Sequence, residues 1–108
     1  MLTGTVIENS LSDRGVLDNV QILKTWHSGD WIVHKVSISE NLAAEFGSYL
    51  KGGKWYVHFW EPGHDKVLVV FKDKTFEILY SNKSTWHDAV EYGKSLGIPE
   101  IQLDFVIE

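Results

Sequence analysis

The segment Trp55-Tyr56-Val57-His58-Phe59-Trp60 constrains this chain more than any other. Successive side chains of a strand point to opposite faces, so Tyr56, His58 and Trp60 share one side and Trp55, Val57 and Phe59 the other. Both sides are aromatic or apolar. A strand of that kind is central and covered twice, or it lines a cavity.

Other elements fall into place around it. Residues 1–8 read as a short first strand in which Val6 and Ile7 supply β-branched bulk and Gly4 is a weak point. Asn9, Ser10 and Ser12 offer caps for a marginal helix from Asp13 to Val20 that contains Gly15. Ile22 to Trp26 is a strand, joined through His27-Ser28-Gly29-Asp30 to another at 31–38. That strand places Ile32, His34, Val36 and Ile38 on one face and Trp31, Val33, Lys35 and Ser37 on the other. Ser39 caps a helix predicted near 40–51, whose stripe is Leu42, Ala43, Phe46, Tyr49 and Leu50 and whose stop is Gly52-Gly53. Strands are predicted near 55–61, 66–72 and 75–80, the last two a hairpin around Asp73-Lys74. A helix near 84–96 has Ser84 as its cap, Trp86, Ala89, Val90 and Gly93 on its apolar face, and a stop at Gly97 and Pro99. Leu103, Phe105 and Ile107 alternate as in a short final strand.

Hairpins dominate this order. The expectation is an α+β fold, a largely antiparallel sheet with the helices packed on one face. A mixed sheet and a small closed barrel with flanking helices are the alternatives. A length of 108 residues matches one domain, 1–108.

Composition narrows the chemistry. The chain has no cysteine, which removes disulfides, thiolate metal sites and cysteine nucleophiles. Its start lacks a basic stretch followed by an apolar one, and no apolar run approaches the roughly 20 residues of a membrane helix. A cytoplasmic location without membrane contact is expected. The net charge is −5, and the lysines form no stripe in the sequence, which argues against nucleic acid as a partner. No phosphate-binding loop, dinucleotide fingerprint, nucleophile elbow or zinc-protease motif occurs.

Around Lys54-Trp55-Tyr56-Val57-His58-Phe59-Trp60, and again at Tyr92-Gly93-Lys94-Ser95-Leu96-Gly97-Ile98-Pro99 and Gln102-Leu103-Asp104-Phe105, the chain resembles small prokaryotic proteins that carry no assigned function. The resemblance implies no activity, cofactor or site residue.

The candidate site comes from the residues themselves. His58, Glu61, His64 and Asp65 lie within eight positions, and imidazole with carboxylate serves acid–base work. Ligand spacing is not that of a metal site, and neither a metal nor a cofactor is expected. His34 lies on an apolar strand face, and if its strand neighbours that of His58 the two imidazoles face the same side. The expected ligand site is therefore His34, His58, Trp60, Glu61, His64 and Asp65. Against it stands the plainer reading of a half-buried strand histidine beside a solvated turn, and of His34 as a satisfied core histidine. Five tryptophans suit either a small water-excluding core or an aromatic-lined surface. Trp31, Val33, Trp55, Val57 and Phe59 are expected to share a face without helices, and so to form a homodimer contact. The best functional expectation is a non-enzymatic domain binding a small molecule or protein through aromatic side chains. A small enzyme using His58 or His34 with a nearby carboxylate is the alternative.

Overall fold

Every stretch with a strand pattern up to residue 80 enters one sheet. In the computed structural model, which describes residues 1–105, the order is β1 (Leu2–Ile7), β2 (Gln21–Ser28), β3 (Trp31–Ile38), α1 (Glu40–Glu45), β4 (Val57–Trp60), β5 (Lys66–Val70), β6 (Thr75–Leu79) and α2 (His87–Ser95). Helical turns of the 3-10 type extend α1 over Phe46–Tyr49 and precede α2 over Lys83–Trp86. The sheet is open, with spatial order β2-β3-β1-β4-β5-β6, and every neighbouring pair is antiparallel. The α+β, antiparallel expectation holds. Neither the mixed sheet nor the barrel is adopted.

Caps explain where the helical segments begin. Asp13, rather than Asn9, Ser10 or Ser12, caps the 3-10 segment Arg14–Asn19 by accepting from the Gly15 amide at 2.9 Å. Asn9 instead reaches across to the β2–β3 hairpin and accepts from the Ile32 amide at 3.1 Å. Ser39 caps α1 as expected. Before α2, Asn82 takes the part expected of Ser84, accepting from the Ser84 amide at 3.2 Å. Gly29 turns the β2–β3 hairpin with φ of 59°.

The helices pack on opposite faces of the sheet, not on one. Register decides this. Gly4 lies opposite both Val36 and Phe59, so Leu2, Val6, Val36, Ile38, Val57 and Phe59 share a first face. Ala43, Phe46 and Leu50 from α1 and its extension cover that face, with Leu11 and Val16 beside them. Thr3 lies opposite Trp60, and β4 passes the opposite parity to Val67, Val69 and Ile78 on a second face. There α2 packs through Ala89, joined by Trp86, Ile98, Leu103 and Phe105. The strand that is apolar on both sides is thus central and covered twice.

Gly4 is where the first face closes. A Cβ there would lie 2.2 Å from the Phe59 ring, so the phenyl group fits across β1 only because residue 4 has no side chain. Up to Phe105, the last described residue, the tail after α2 contributes packing, not pairing. A 3-10 turn over Glu100–Gln102 delivers Leu103 and Phe105 into the second core with no strand. Ile107, the third residue of the expected alternation, lies outside the described residues.

Candidate functional site

Inserting β1 between β3 and β4 separates the two histidines expected to pair. His34 is on the first face with Val6, and His58 is on the second with Trp60. A one-residue difference in register exchanges the faces of a whole strand, which is why grouping the strands by alternation alone failed.

His34 is 6% exposed and fully engaged. Its Nδ1 lies 2.8 Å from the Thr25 hydroxyl on β2, and its Nε2 lies 3.0 Å from Glu8 Oε1 just past β1. Arg14 approaches the other Glu8 oxygen at 3.9 Å. A carboxylate, an imidazole and a hydroxyl form a chain across the end of the first core.

The other expected site residues are dispersed. Trp60 is buried in the second core. Glu61 and His64 are exposed to a large degree and form a loose pair at 3.8 Å within the turn. Asp65 is structural: its carboxylate accepts from the Ser81 amide at 2.8 Å and the Ser81 hydroxyl at 2.7 Å, tying the β4–β5 loop to the end of β6. Of the six, only His58 lines an aromatic groove at the edge of the second core.

That groove lies on the second face where α2 stops covering it. Thr5 and Ile7 of β1 form its floor, and Trp31, Tyr56, His58, Lys54 and Gln102 form its walls. Its volume of about 390 Å³ is within the range of small-molecule sites. His58 packs between Tyr56 and Trp60, with ring centroids 6.4 and 5.5 Å away, and meets Phe105 at 6.0 Å. Trp31 leans on Trp55 at 5.6 Å. The Tyr56 hydroxyl donates to the Gln102 carbonyl, fixing the tail against the groove wall. Burial, reinforced by the negative charge of Asp104, raises the Tyr56 hydroxyl from 10.0 to about 12, so it stays protonated as a donor through the physiological range.

The five residues expected to share an uncovered face are also divided. Val57 and Phe59 are in the first core beneath α1, while Trp31 and Val33 belong to the second face. What is open is the part of the second face formed by β2, β3 and β1. Trp26 and Trp31 are 36% and 45% exposed there. On this surface Lys24 lies directly opposite Lys35, and Lys35 opposite Thr5. Lys24 and Lys35 come together only through the pairing of β2 with β3, and the alternation that puts Lys35 beside Trp31 is the signal the sequence offers.

Among the described residues no three His, Asp or Glu side chains gather as they would around a metal ion, and no helix is long and apolar enough to cross a membrane. Comparison with protein-family models, curated proteins and solved structures gives no match.

Proposed function

We propose that this chain is a non-enzymatic binding domain that receives its partner in the groove walled by Trp31, Tyr56 and His58. The observation that carries the reading is the groove itself: about 390 Å³ of open space with aromatic walls and a few polar groups, Lys54, Gln102 and the His58 ring. Aromatic walls supply contact area at low entropic cost, and sparse polar groups fix orientation. The His58 ring stands on β4 and Gln102 on the tail that Tyr56 anchors, so these two are positioned before a ligand arrives.

The test is NMR titration with two uncharged probes, indole and p-cresol. Shifts concentrated on Trp31, Tyr56, His58 and Gln102, and lost in Trp31→Ala, support the reading. Shifts spread over the surface, or none at millimolar probe, count against it.

The second reading is an acid–base enzyme built on His34, and the Glu8–His34–Thr25 chain favours it. A hydroxyl linked through imidazole to carboxylate is the arrangement that activates an oxygen nucleophile. It ranks second because the same bonds satisfy both nitrogens of a buried histidine, which is sufficient reason for them. Hydrolysis of p-nitrophenyl acetate abolished by both Thr25→Val and His34→Gln would reverse the ranking.

A further inference from the structure

We infer that the open half of the second face, together with the free edge of β2, docks an extended acidic segment of another protein. This rests on the binding-domain reading above and names its partner.

Charge is the first argument. The chain carries 15 acidic and 10 basic residues, yet this surface presents Lys24 and Lys35 with no ion-pair partner for either among the described residues. Lys24 and Lys35 sit directly opposite each other across β2 and β3, an arrangement that destabilises a sheet unless an anion lies between them. The ladder is irregular at this point. The register shifts between Ile22 and Lys24, and such bulges re-aim side chains. The Lys24 ammonium lies 5.7 Å from the Trp26 ring centroid, so cation and aromatic surface are presented together.

The backbone is the second argument. All eight residues of β2 are exposed, and none makes a backbone hydrogen bond beyond its ladder with β3 among the described residues. The opposite edge of the sheet is partly closed, because the Leu79 amide donates to the Thr85 hydroxyl and the Leu79 carbonyl accepts from the Trp86 indole. An extended segment added to β2 gains main-chain bonds and places every second side chain on the second face. Carboxylates at those positions meet Lys24 and Lys35, and apolar groups meet Trp26 and Trp31.

Other occupants fit less well. A two-fold contact between copies sets a patch against itself, so Lys24 and Lys35 would find no counter-charge. A polyphosphate chain meets the field of a protein with net charge −5 along its whole length, whereas a segment with a few carboxylates meets it only locally.

The experiment is fluorescence anisotropy with three labelled probes: a ten-residue peptide alternating Glu with Leu and Phe, its counterpart with Lys in place of Glu, and a ten-nucleotide thymidine oligomer. The acidic peptide should bind with micromolar Kd and protect β2 amides from hydrogen exchange. Raising the ionic strength to about 0.5 M should weaken it. The double variant Lys24→Gln, Lys35→Gln should bind about tenfold more weakly, the loss of roughly two exposed charge-assisted contacts; Lys24→Glu, Lys35→Glu should not bind. Circular dichroism establishes that each variant is folded. Equal binding of the acidic and basic peptides, tighter binding of the oligonucleotide, or indifference to the lysine changes overturns the inference. If indole and p-cresol still titrate Trp31 and Tyr56 while the acidic peptide fails, only this inference falls; if all three fail, the binding-domain reading falls with it.

Discussion

The second face of the sheet is finished in two different ways. Over β4, β5 and β6 it is closed by α2 and the tail, and Phe105 is 0% exposed among Tyr56, His58 and Trp86, with the nearest ring centroid 5.3 Å away. Over β2, β3 and β1 the same face has no helix among the described residues, and Trp26, Trp31 and Lys24 reach solvent. Both halves are rich in aromatic residues, so composition does not distinguish them. Coverage does. In the closed half aromatic surface is removed from water and stabilises the fold, at about 25 cal/mol per Å² buried. In the open half much of that stabilisation is forgone, which is expected of a surface retained for a partner.

The comparison is broken most directly by truncating one aromatic residue in each half. Phe105→Ala should cost about 3–5 kcal/mol, because the cavity it leaves is enclosed by rings that cannot collapse into it. Trp31→Ala should cost about 1 kcal/mol or less, since nearly half of its surface already meets water and its principal ring contact is Trp55. Urea unfolding of the two variants measures both. Comparable losses would mean that Trp31 is a core residue and that the open half is not a reserved surface.

How much of this was legible in the sequence follows from what alternation encodes. It encodes which residues of one strand share a face, and the two sets within β3 and within β4 were correctly separated. It does not encode which strands are neighbours. Alternation allows His34 and His58 on one side if their strands are neighbours, and groups Trp31 with Phe59 on the other; β1 lies between the two strands, and its register separates both pairs. The double-sided pattern of β4 already required cover on both faces, and that requirement conflicts with placing both helices on one. The local turn Glu61–Asp65 was legible as a turn, but its groups bond within the loop and to Ser81 rather than converge on His58. The lysine patch was illegible for a different reason. It is assembled from residues 24 and 35 by the pairing of β2 with β3, and alternation within either strand alone does not show it.

Tyr56 stands on the boundary between the halves and sharpens the comparison through pH. Its hydroxyl, ordinarily ionising near 10, is held up to about 12 by burial and then by Asp104. Above pH 10 the unfolded chain loses this proton before the folded one does. The contribution to stability is therefore complete below pH 10 and is lost as pH rises to 12. Its size is on the order of 1–2 kcal/mol after allowing for the partial exposure of the ring. Tyr56→Phe should remove that component, so the difference in stability between the two proteins should narrow from pH 10 to pH 12. Thermal unfolding across that window measures it. A constant difference would mean that the hydroxyl is as solvated as the open half, and that the closed half ends short of the groove.

The smallest expected effect is the most diagnostic of the open half. Lys35 is half-buried and lies in register between Lys24 and Thr5, so its stem packs on the sheet beside a neighbour of like charge. Lys35→Gln keeps a stem of similar length and removes the charge. Two lysines directly opposite one another cost a sheet about 0.2–1 kcal/mol. The substitution should therefore stabilise the protein by that amount at low ionic strength, with the gain shrinking toward zero as salt screens the repulsion. It should also weaken the acidic peptide. Gain in stability together with loss of binding is the signature of a charge arrangement kept for a partner at the expense of the fold. A salt-independent loss of stability would instead show that the Lys35 stem is held for packing, and the open half would then differ from the closed half only in degree.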